Sequence, residues 1–495
     1  VSFVVMKFGG TSVEDAAAIQ RTAEIVATRL ARGQQPIVVV SAMSKVTDQL
    51  LAAAAAAGRG DKTGALALTA RLRHRHHEAA CKLLSSDAGA PKETGKEETG
   101  EQETGEQDAL SAATMWIDSE FRTLDELLRG IAAVGELTAR TTDLVVSYGE
   151  RLSSRLVAES YAHRGLRGAH LDARLCIITD NQHGKATPLP DRIEARCAEH
   201  LLPLLTVGHV PVLGGFIGSA DASTVGANGS LTTTTLGRGG SDYTAALLGE
   251  AVLAEAIEIW TDVDGIMTAD PRVCPEALRV RHISFEEASE LAYFGAKVLH
   301  PATILPAVQK NIPVWVLNSK NPASEGTRIT ALAPRSSSPF KSIAVKKRLT
   351  IVDVVASRML MSHGYLRRIF EIFDKHQIAV DLVSTSEVSV SLTVDSNEAI
   401  PALAADLSQI GDVKYEGRKA LLCMVGDDIR GQNGIAAQVF TAIRGVNVRM
   451  ISQGASEINM SFVIEEDDVE KAVQSLHAHF FANPDPAVFD LDGRR

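Results

Sequence analysis

The stretch SFVVMKFGGTSVEDAAAIQRTAEIVATRLARGQQPIVVVSA, residues 2–42, decides the fold. Residues 3–8 form a short apolar run that Gly9-Gly10 breaks. Between residues 14 and 32, apolar side chains recur at helical spacing, at Ile19, Ala23, Val26 and Leu30. Pro36 then precedes a second strand-like run, 37–42, and another helix begins near Thr47. Strand, crossover helix and strand in that order predict neighbouring parallel strands, because a parallel pair needs a long connection and the helix must cover a sheet face. Further out, buried strands are expected at 168–172, 210–217 and 256–261. Residues 1–330 therefore predict one α/β domain, an open, mostly parallel sheet with helices on both faces.

The 495 residues suffice for two to four domains, and 45% hydrophobic with 22% charged residues is an ordinary globular composition. Fifty basic against sixty-one acidic residues give a net charge of −11, which argues against nucleic acid or an anionic membrane as the main partner. No apolar run approaches the roughly 20 residues of a membrane helix. The nearest, 51–58, is mostly alanine. No signal-peptide pattern precedes the first strand, and five scattered cysteines without a CxxC pair predict free thiols. The expected location is cytoplasmic.

Three segments interrupt the α/β pattern. Residues 90–107, APKETGKEETGEQETGEQ, contain no large apolar side chain and predict a flexible low-complexity loop. The run RLRHRHH at 71–77 interleaves arginines that repel a metal cation, so it predicts a solvated helix face. Residues 331–347 hold the polar, Pro- and Ser-rich run Ala333-Pro334-Arg335-Ser336-Ser337-Ser338-Pro339 and predict a linker. Beyond it an internal duplication emerges. Gly364-Tyr365 and Phe370 match Gly434-Ile435 and Phe440 at an offset of 70, and Glu387-Val388 and Ser391 match Glu457-Ile458 and Ser461. A pair of small α+β modules is expected, at 348–418 and 419–485.

The chemistry concentrates at glycine-rich turns. Lys7 stands at a strand end before Gly9-Gly10 and a helix start, where backbone N–H groups, a helix N-terminus and a full positive charge suit a phosphate; a simple tight turn is the alternative. No GxxxxGK[ST] pattern exists. Thr232–Asp242, TTTTLGRGGSD, again places glycines before a helix. Arg238 there can clamp a carboxylate or phosphate and Asp242 can receive an ammonium or orient a lysine, unless Ser241 or Asp242 is a plain N-cap. After the strand at 256–261, Asp262 or Asp264 could hold magnesium or make an Asp-Gly turn. Lys297, beside Gly295, reads on its own as surface lysine. No HExxH, GxSxG or Cys/His constellation is present, which removes zinc- and serine-hydrolase chemistry.

KFGGTSV at 7–13, TTTTLGRGGSDYTAALL at 232–248, IWTDVDGIMTADPRV at 259–273 and FGAKVLHPAT at 294–303 together resemble the signature segments of aspartate kinases. SRMLMSHGYLRRIF with VDLVSTSEVSVSLTV at 380–394 resembles the first ACT module of their lysine-sensitive, type III branch. The resemblance implies an amino acid kinase fold followed by two ACT modules. It also implies transfer of the ATP γ-phosphoryl group to the β-carboxylate of L-aspartate. Lys7 and Asp242 would be catalytic, and Ser41, Thr47, Glu150, Arg238, Gly239, Gly240 and Ser241 would bind the substrate. Lys7, Gly9, Gly10, Thr261, Asp262, Met267, Arg272, Lys297 and Val298 would contact the nucleotide, which brings Mg²⁺; no protein metal site is expected. L-Lysine would act as effector through Met359, Ser362, Tyr365, Leu366, Val380, Asp381, Thr385 and Ser386, with a homodimer formed through the ACT modules and a tetramer left open. The chain departs from type III relatives at Asp264 and Met267, where proline and tyrosine are usual, and at Met361 and Ala379, where histidine and serine occur. Sibling kinases of the superfamily lack a paired ACT tail, and a sensor built on a dead kinase conflicts with Lys7, Glu150, Arg238 and Asp242 all being present.

Overall fold

A computed structural model describes residues 2–85, 100–221, 231–294, 303–336, 338–356 and 363–491, with the backbone alone for 100–107. The chain divides into two compact units, residues 1–265 with 299–331, and residues 266–298 with 332–495.

The first unit contains β1 (Ser2–Phe8), β2 (Gln34–Val40), β3 (Gly168–His170), β4 (Ile178–Thr179), β5 (Val210–Gly214), β6 (Ile217–Ala220), β7 (Thr233–Thr235) and β8 (Ala256–Thr261). β9 (His282–Ser284) falls in the second unit, while β10 (Val314–Asn318) and β11 (Thr327–Thr330) belong to the first. The first unit's main sheet runs β3-β5-β2-β1-β8-β10-β11. Its strands pair parallel from β3 to β10, and β11 is antiparallel to β10. Its central strands are unbroken apolar runs because both faces are covered: Val4, Val5, Met6, Phe8 and Ile37 to Val40 are fully buried.

The helices of this unit are α1 (Ala16–Ala31), α2 (Val46–Gly58), α3 (Lys62–Leu84), α4 (Gly100–Val134), α5 (Ala139–His163), α6 (Pro190–His200), α7 (Leu202–Thr206) and α8 (Gly240–Ala251); α9 (Phe285–Tyr293) lies in the second unit and α10 (Leu305–Gln309) in the first. α1 is the crossover from β1 to β2. Asp15 caps it by accepting from the Ala18 N–H at 2.8 Å, and its buried stripe of Ile19, Ala23 and Val26 faces the core.

Three expectations are corrected in this unit. The span 210–217 is two strands, because the backbone turns at Gly215-Phe216, where Phe216 takes φ +67° and donates its N–H to Thr244 Oγ1; β6 then joins a small sheet, β4-β6-β7. Of the Glu-Thr-Gly segment, 90–99 lie outside the described residues, but 100–107 are the first turns of α4. Ile117, Phe121, Leu124 and Leu128 bury the apolar stripe of that helix, and once a helix is packed, good helix formers such as Glu and Gln extend it readily. The 71–77 run on α3 is only partly solvated. Arg71 and His74 are exposed, but His76 is buried with Nδ1 2.7 Å from the Leu72 carbonyl, and burial pushes its pKa down to about 4. His77 Nε2 lies 2.9 Å from Asp118.

The second unit continues with β12 (Phe340–Val355), α11 (Tyr365–Lys375), β13 (Val380–Thr385), β14 (Ser389–Asp395), α12 (Ile400–Leu407), β15 (Asp412–Gly426), α13 (Ile435–Ala442), β16 (Val448–Gln453), β17 (Asn459–Glu465) and α14 (Val469–Phe480). The duplication is plain: Gly364 and Gly434, at φ +76° and +75°, each open a helix that leads into a hairpin, β13-β14 and β16-β17. Glycine suits both because it adopts that conformation without the steric cost a side chain brings. The two copies share one antiparallel sheet, ordered β13-β14-β12-β15-β17-β16. Residues 340–347, assigned on sequence to the linker, are the first half of β12 and pair with the end of β15.

Residues 266–298, placed on sequence with the kinase domain, group with this second unit. The reason is a set of buried polar contacts. Lys341 Nζ sits 2.9 Å from Glu287, both nearly inaccessible, and Glu287 also closes the capping box of α9 with Ser284. Arg279 and Arg281 both pair with Asp490, and Thr268 Oγ1 is 2.9 Å from His477 Nε2. No helix among the described residues is long and apolar enough to cross a membrane.

Candidate active site

β2, β1 and β8 are adjacent and in register, with Lys7 opposite Val39 on one side and Ile259 on the other. The turns leaving their carboxyl ends therefore emerge side by side, which is where open parallel sheets place ligands. A cavity of about 540 Å³ opens there, entirely within the first unit. It is lined by Lys7 near the end of β1 and Gly9 and Gly10 after it, by Ser41 to Lys45, Thr47 and Asp48 after β2, by Glu150 on α5, by Gly237 to Asp242 at the start of α8, and by Thr261.

The close approach of these turns is built into the chain. A Cβ on Gly10 would stand 3.0 Å from the Ala42 carbonyl, and the Ser44 N–H donates to the Gly10 carbonyl at 3.1 Å. Gly239, at φ +72°, opens α8 without a side-chain cap. Neither Ser241 nor Asp242 is therefore the N-cap; the Gly240 N–H donates to the Gly237 carbonyl at 3.1 Å, and Gly240, Ser241 and Asp242, at the positive end of the helix, line the cavity. Asp242 instead pairs with Lys7, Oδ1 to Nζ at 2.6 Å, both mostly buried. The Ser41 hydroxyl donates to Ser241 Oγ at 3.0 Å. Arg238 is exposed on the wall of the cavity.

Glu150 is the least ordinary group. It is 3% exposed; one carboxyl oxygen accepts the Ala42 N–H at 3.3 Å, and the other has no partner among the described residues. Burial pushes its pKa up to about 8, although the backbone hydrogen bonds oppose that. A buried acceptor left unsatisfied is costly, and a cationic ligand is the natural way to satisfy it.

Two supporting residues carried no sequence signal. Ser153, one turn beyond Glu150, donates its hydroxyl to the Ser41 carbonyl at 2.7 Å. Asp143, two turns before Glu150, accepts from Thr235 Oγ1 at 2.6 Å and from the Gly184 N–H at 3.0 Å, with His183 Nδ1 at 2.8 Å. It thereby fixes the segment that leads into Gly237-Arg238.

The residues carried over for the nucleotide are divided. Thr261 and Asp262 end β8 in the first unit, Thr261 Oγ1 donating to Asp262 at 3.3 Å. Asp264 accepts from Asn318 Nδ2 at 2.9 Å, a structural use of that carboxylate. Met267 and Arg272 belong to the second unit, where Arg272 is 85% exposed and paired with Asp270, holding that carboxyl below its usual range. Lys297 and Val298 lie outside the described residues.

The effector residues lie in the second unit. Met359 and Ser362, with Met361, fall outside the described residues. Tyr365 is buried and its hydroxyl donates to the Ile410 carbonyl at 3.0 Å, so it serves the module's core. Leu366 is exposed on α11, Val380 begins the edge strand β13, and Thr385 and Ser386 are exposed at its far end. Asp381 is already partnered: both its oxygens accept from Lys346 Nζ, at 2.9 and 2.8 Å.

A parallel sheet whose glycine turns and uncapped helix N-terminus converge on a lysine–aspartate pair defines an amino acid kinase, and residues 2–318 match the amino acid kinase family. Residues 352–405 and 422–480 match the ACT domain. The chain is 36% identical over 501 residues to lysine-sensitive aspartokinase 3 of Escherichia coli (strain K12), covering 97% of this chain and 99% of that protein. It is also similar to two crystal structures of E. coli aspartokinase III, each at 35% identity over 97% of this chain. The complex with aspartate and ADP in the R-state, matched over its whole length, gives a TM-score of 0.76. The complex with lysine and aspartate in the T-state, matched over 99%, gives 0.79. The chain belongs to the aspartokinase family.

Proposed function

We infer that this chain is an aspartate kinase, converting ATP and L-aspartate to ADP and 4-phospho-L-aspartate, the first step in making the aspartate-derived amino acids. The observation that carries the site assignment is a buried Glu150 carboxyl with one oxygen unpartnered among the described residues, in the same cavity as the Lys7–Asp242 pair. Aspartate brings one ammonium and two carboxylates. Glu150 receives the ammonium, Arg238 the α-carboxylate, and Ser41, Thr47 and the turn at Gly239 to Ser241 close around the rest.

The β-carboxylate is already ionised at neutral pH, so the reaction needs no general base. Catalysis is alignment and charge neutralisation. Lys7 sits at the strand end against Gly9-Gly10 and neutralises the transferred phosphoryl group, while Asp242 holds its ammonium in place. The Ser241 and Asp242 N–H groups in the first turn of α8 supply further donors. Mg²⁺ would relieve phosphate charge, but the cavity's acids do not form a protein-held site: Asp242 is committed to Lys7, Glu150 is buried, and Asp48 is exposed. The metal therefore comes with the triphosphate.

Feedback inhibition by L-lysine at the ACT modules, a homodimer formed through them and a cytoplasmic location complete the reading. Lysine would shift a pre-existing equilibrium between active and inactive arrangements. Trapping the product as aspartyl hydroxamate, with ATP, Mg²⁺ and L-aspartate, tests the whole. Hydroxamate that falls as millimolar L-lysine is added supports both activity and regulation. Product formed only with another acidic acceptor would move the chain to a sibling kinase.

A further inference from the structure

The arginine run on α3 contains one side chain that leaves the helix surface for the cavity's underside. Arg75 donates from Nη1 to the Ser44 carbonyl and from Nη2 to the Glu14 carbonyl, each at 2.7 Å. These carbonyls belong to the two turns on which the site is built. Ser44 ends the turn after β2 and precedes Lys45, whose φ of +65° starts α2. Glu14 ends the turn after β1 and precedes the Asp15 cap of α1. Two backbone bonds join the segments, from Ser44 N–H to the Gly10 carbonyl and from Ser41 N–H to the Phe8 carbonyl, each at 3.1 Å, and neither reaches as far as Glu14.

We propose that Arg75 is a positioning residue for phosphoryl transfer, its forked guanidinium fixing the spacing between the turn that carries Lys7, Gly9 and Gly10 and the turn that carries Ser41 and the Ala42 amide. The inference rests on reading the cavity as the aspartate and ATP site. The first turn serves the phosphoryl donor. The second serves the acceptor, because the Ala42 N–H holds Glu150. Arg75 does not line the cavity, so it touches neither substrate. Nor does α3 need it for docking: Leu72, His76, Ala79, Ala80 and Leu83 already bury that helix. A planar fork holds two carbonyls at a set separation, whereas a lysine ammonium on a flexible stem has no such geometry.

A residue that sets donor–acceptor alignment acts on kcat more than on KM. In the hydroxamate assay, Arg75→Met is expected to keep the KM of ATP and aspartate within about threefold and to lose kcat by roughly 30-fold, the scale of a sub-ångström misalignment. Its melting temperature should stay close to that of the wild type. Arg75→Lys should recover only part of the loss, and Arg71→Met, exposed on the same helix, should behave as wild type. A kcat within twofold of wild type for Arg75→Met, a matching loss in Arg71→Met, or full recovery in Arg75→Lys each overturns the proposal. Should Arg75→Met fail to fold, Arg75→Lys decides it: full kcat overturns the role, and reduced kcat at unchanged melting temperature supports it. If the wild-type enzyme turns over only another acidic acceptor, the aspartate reading fails, and the same kcat-against-KM split measured with that acceptor still decides Arg75.

Discussion

Glu150 and Asp381 are both carboxyl groups expected to receive an amino acid's ammonium, one from substrate and one from effector, and the chain surrounds them in opposite ways. Glu150 is enclosed by the first unit with one oxygen on the Ala42 amide and the other unpartnered, and burial raises its pKa to about 8. Asp381, on an edge strand of the second unit, has both oxygens on Lys346, which also reaches Asp395 at 3.0 Å. Burial raises Asp381 as well, with Lys346 opposing. A site built on an unsatisfied acceptor gains the full benefit of its ligand's charge. One that is satisfied from within gains only the difference between the ligand and the internal partner, so its occupancy is an exchange.

The catalytic side of this contrast carries the largest effects. Lys7→Met removes the cation that faces the phosphoryl group and frees Asp242 as an unpaired, mostly buried charge. A loss in kcat of about 10³-fold is expected, with the fold retained by circular dichroism. If activity survives within tenfold, the transferred group lies elsewhere. Glu150→Gln removes the receiver of the substrate ammonium and should lower kcat/KM for aspartate roughly 100-fold, leaving KM for ATP unchanged. The raised pKa fixes a sign. Below about pH 8 the free enzyme holds Glu150 mainly protonated, so kcat/KM for aspartate should rise with pH towards that value and level off. The rise should vanish in Glu150→Gln. A wild-type profile flat from pH 6 to 8 would remove Glu150 from ammonium binding.

On the effector side, Asp381→Asn should leave uninhibited turnover nearly unchanged and raise the lysine concentration for half-inhibition at least tenfold, about 1.4 kcal/mol. Full lysine inhibition in this variant would place the effector away from β13. Thr385 and Ser386, exposed at the end of the same strand, are expected to give smaller shifts in the same direction when replaced by alanine.

The parts of this molecule that can be read in sequence are those whose cause is local. The β1–α1–β2 pattern is legible because burial on two faces writes continuous apolar runs and helical spacing between them. Lys7, Arg238 and Asp242 stand out because each lies beside a glycine-rich turn, whereas Glu150, in Ser147-Tyr148-Gly149-Glu150, is singled out only by the family resemblance; the fold gathers all four at one cavity. Arg75 does not stand out, because its partners are backbone carbonyls 31 and 61 residues away and a carbonyl has no residue type. Residues 266–298 fall within the stretch matched to the amino acid kinase family yet pack with the second unit, which the sequence does not announce for a similar reason. Their attachment to the second unit runs through Lys341–Glu287 and the Arg279 and Arg281 pairs with Asp490, contacts that no spacing announces. The first half of β12 was hidden by the Pro- and Ser-rich run just before it, although 340–346 contains apolar side chains at strand positions.

Lys346 gives the comparison its finest test. If the effector must displace the chain's own ammonium, Lys346→Met turns an exchange into an open acceptor and should lower the half-inhibitory lysine concentration by roughly five- to tenfold, about 1 kcal/mol. The sign depends on pH. Without Lys346, Asp381 loses the group that opposes its burial, so its carboxyl rises further, and the gain in lysine affinity should shrink as the pH is lowered and that carboxyl takes up its proton. The second module supplies the control. Lys419 makes a similar cluster with Glu465 at 2.8 Å and Glu416 at 3.1 Å, where no effector is expected, and Lys419→Met should leave lysine inhibition unmoved. If Lys346→Met instead lowers the melting temperature as Lys419→Met does and leaves inhibition unchanged or weaker, then both lysines are struts beside the register shift between the two long strands. Asp381 would then belong to the sheet rather than to the effector.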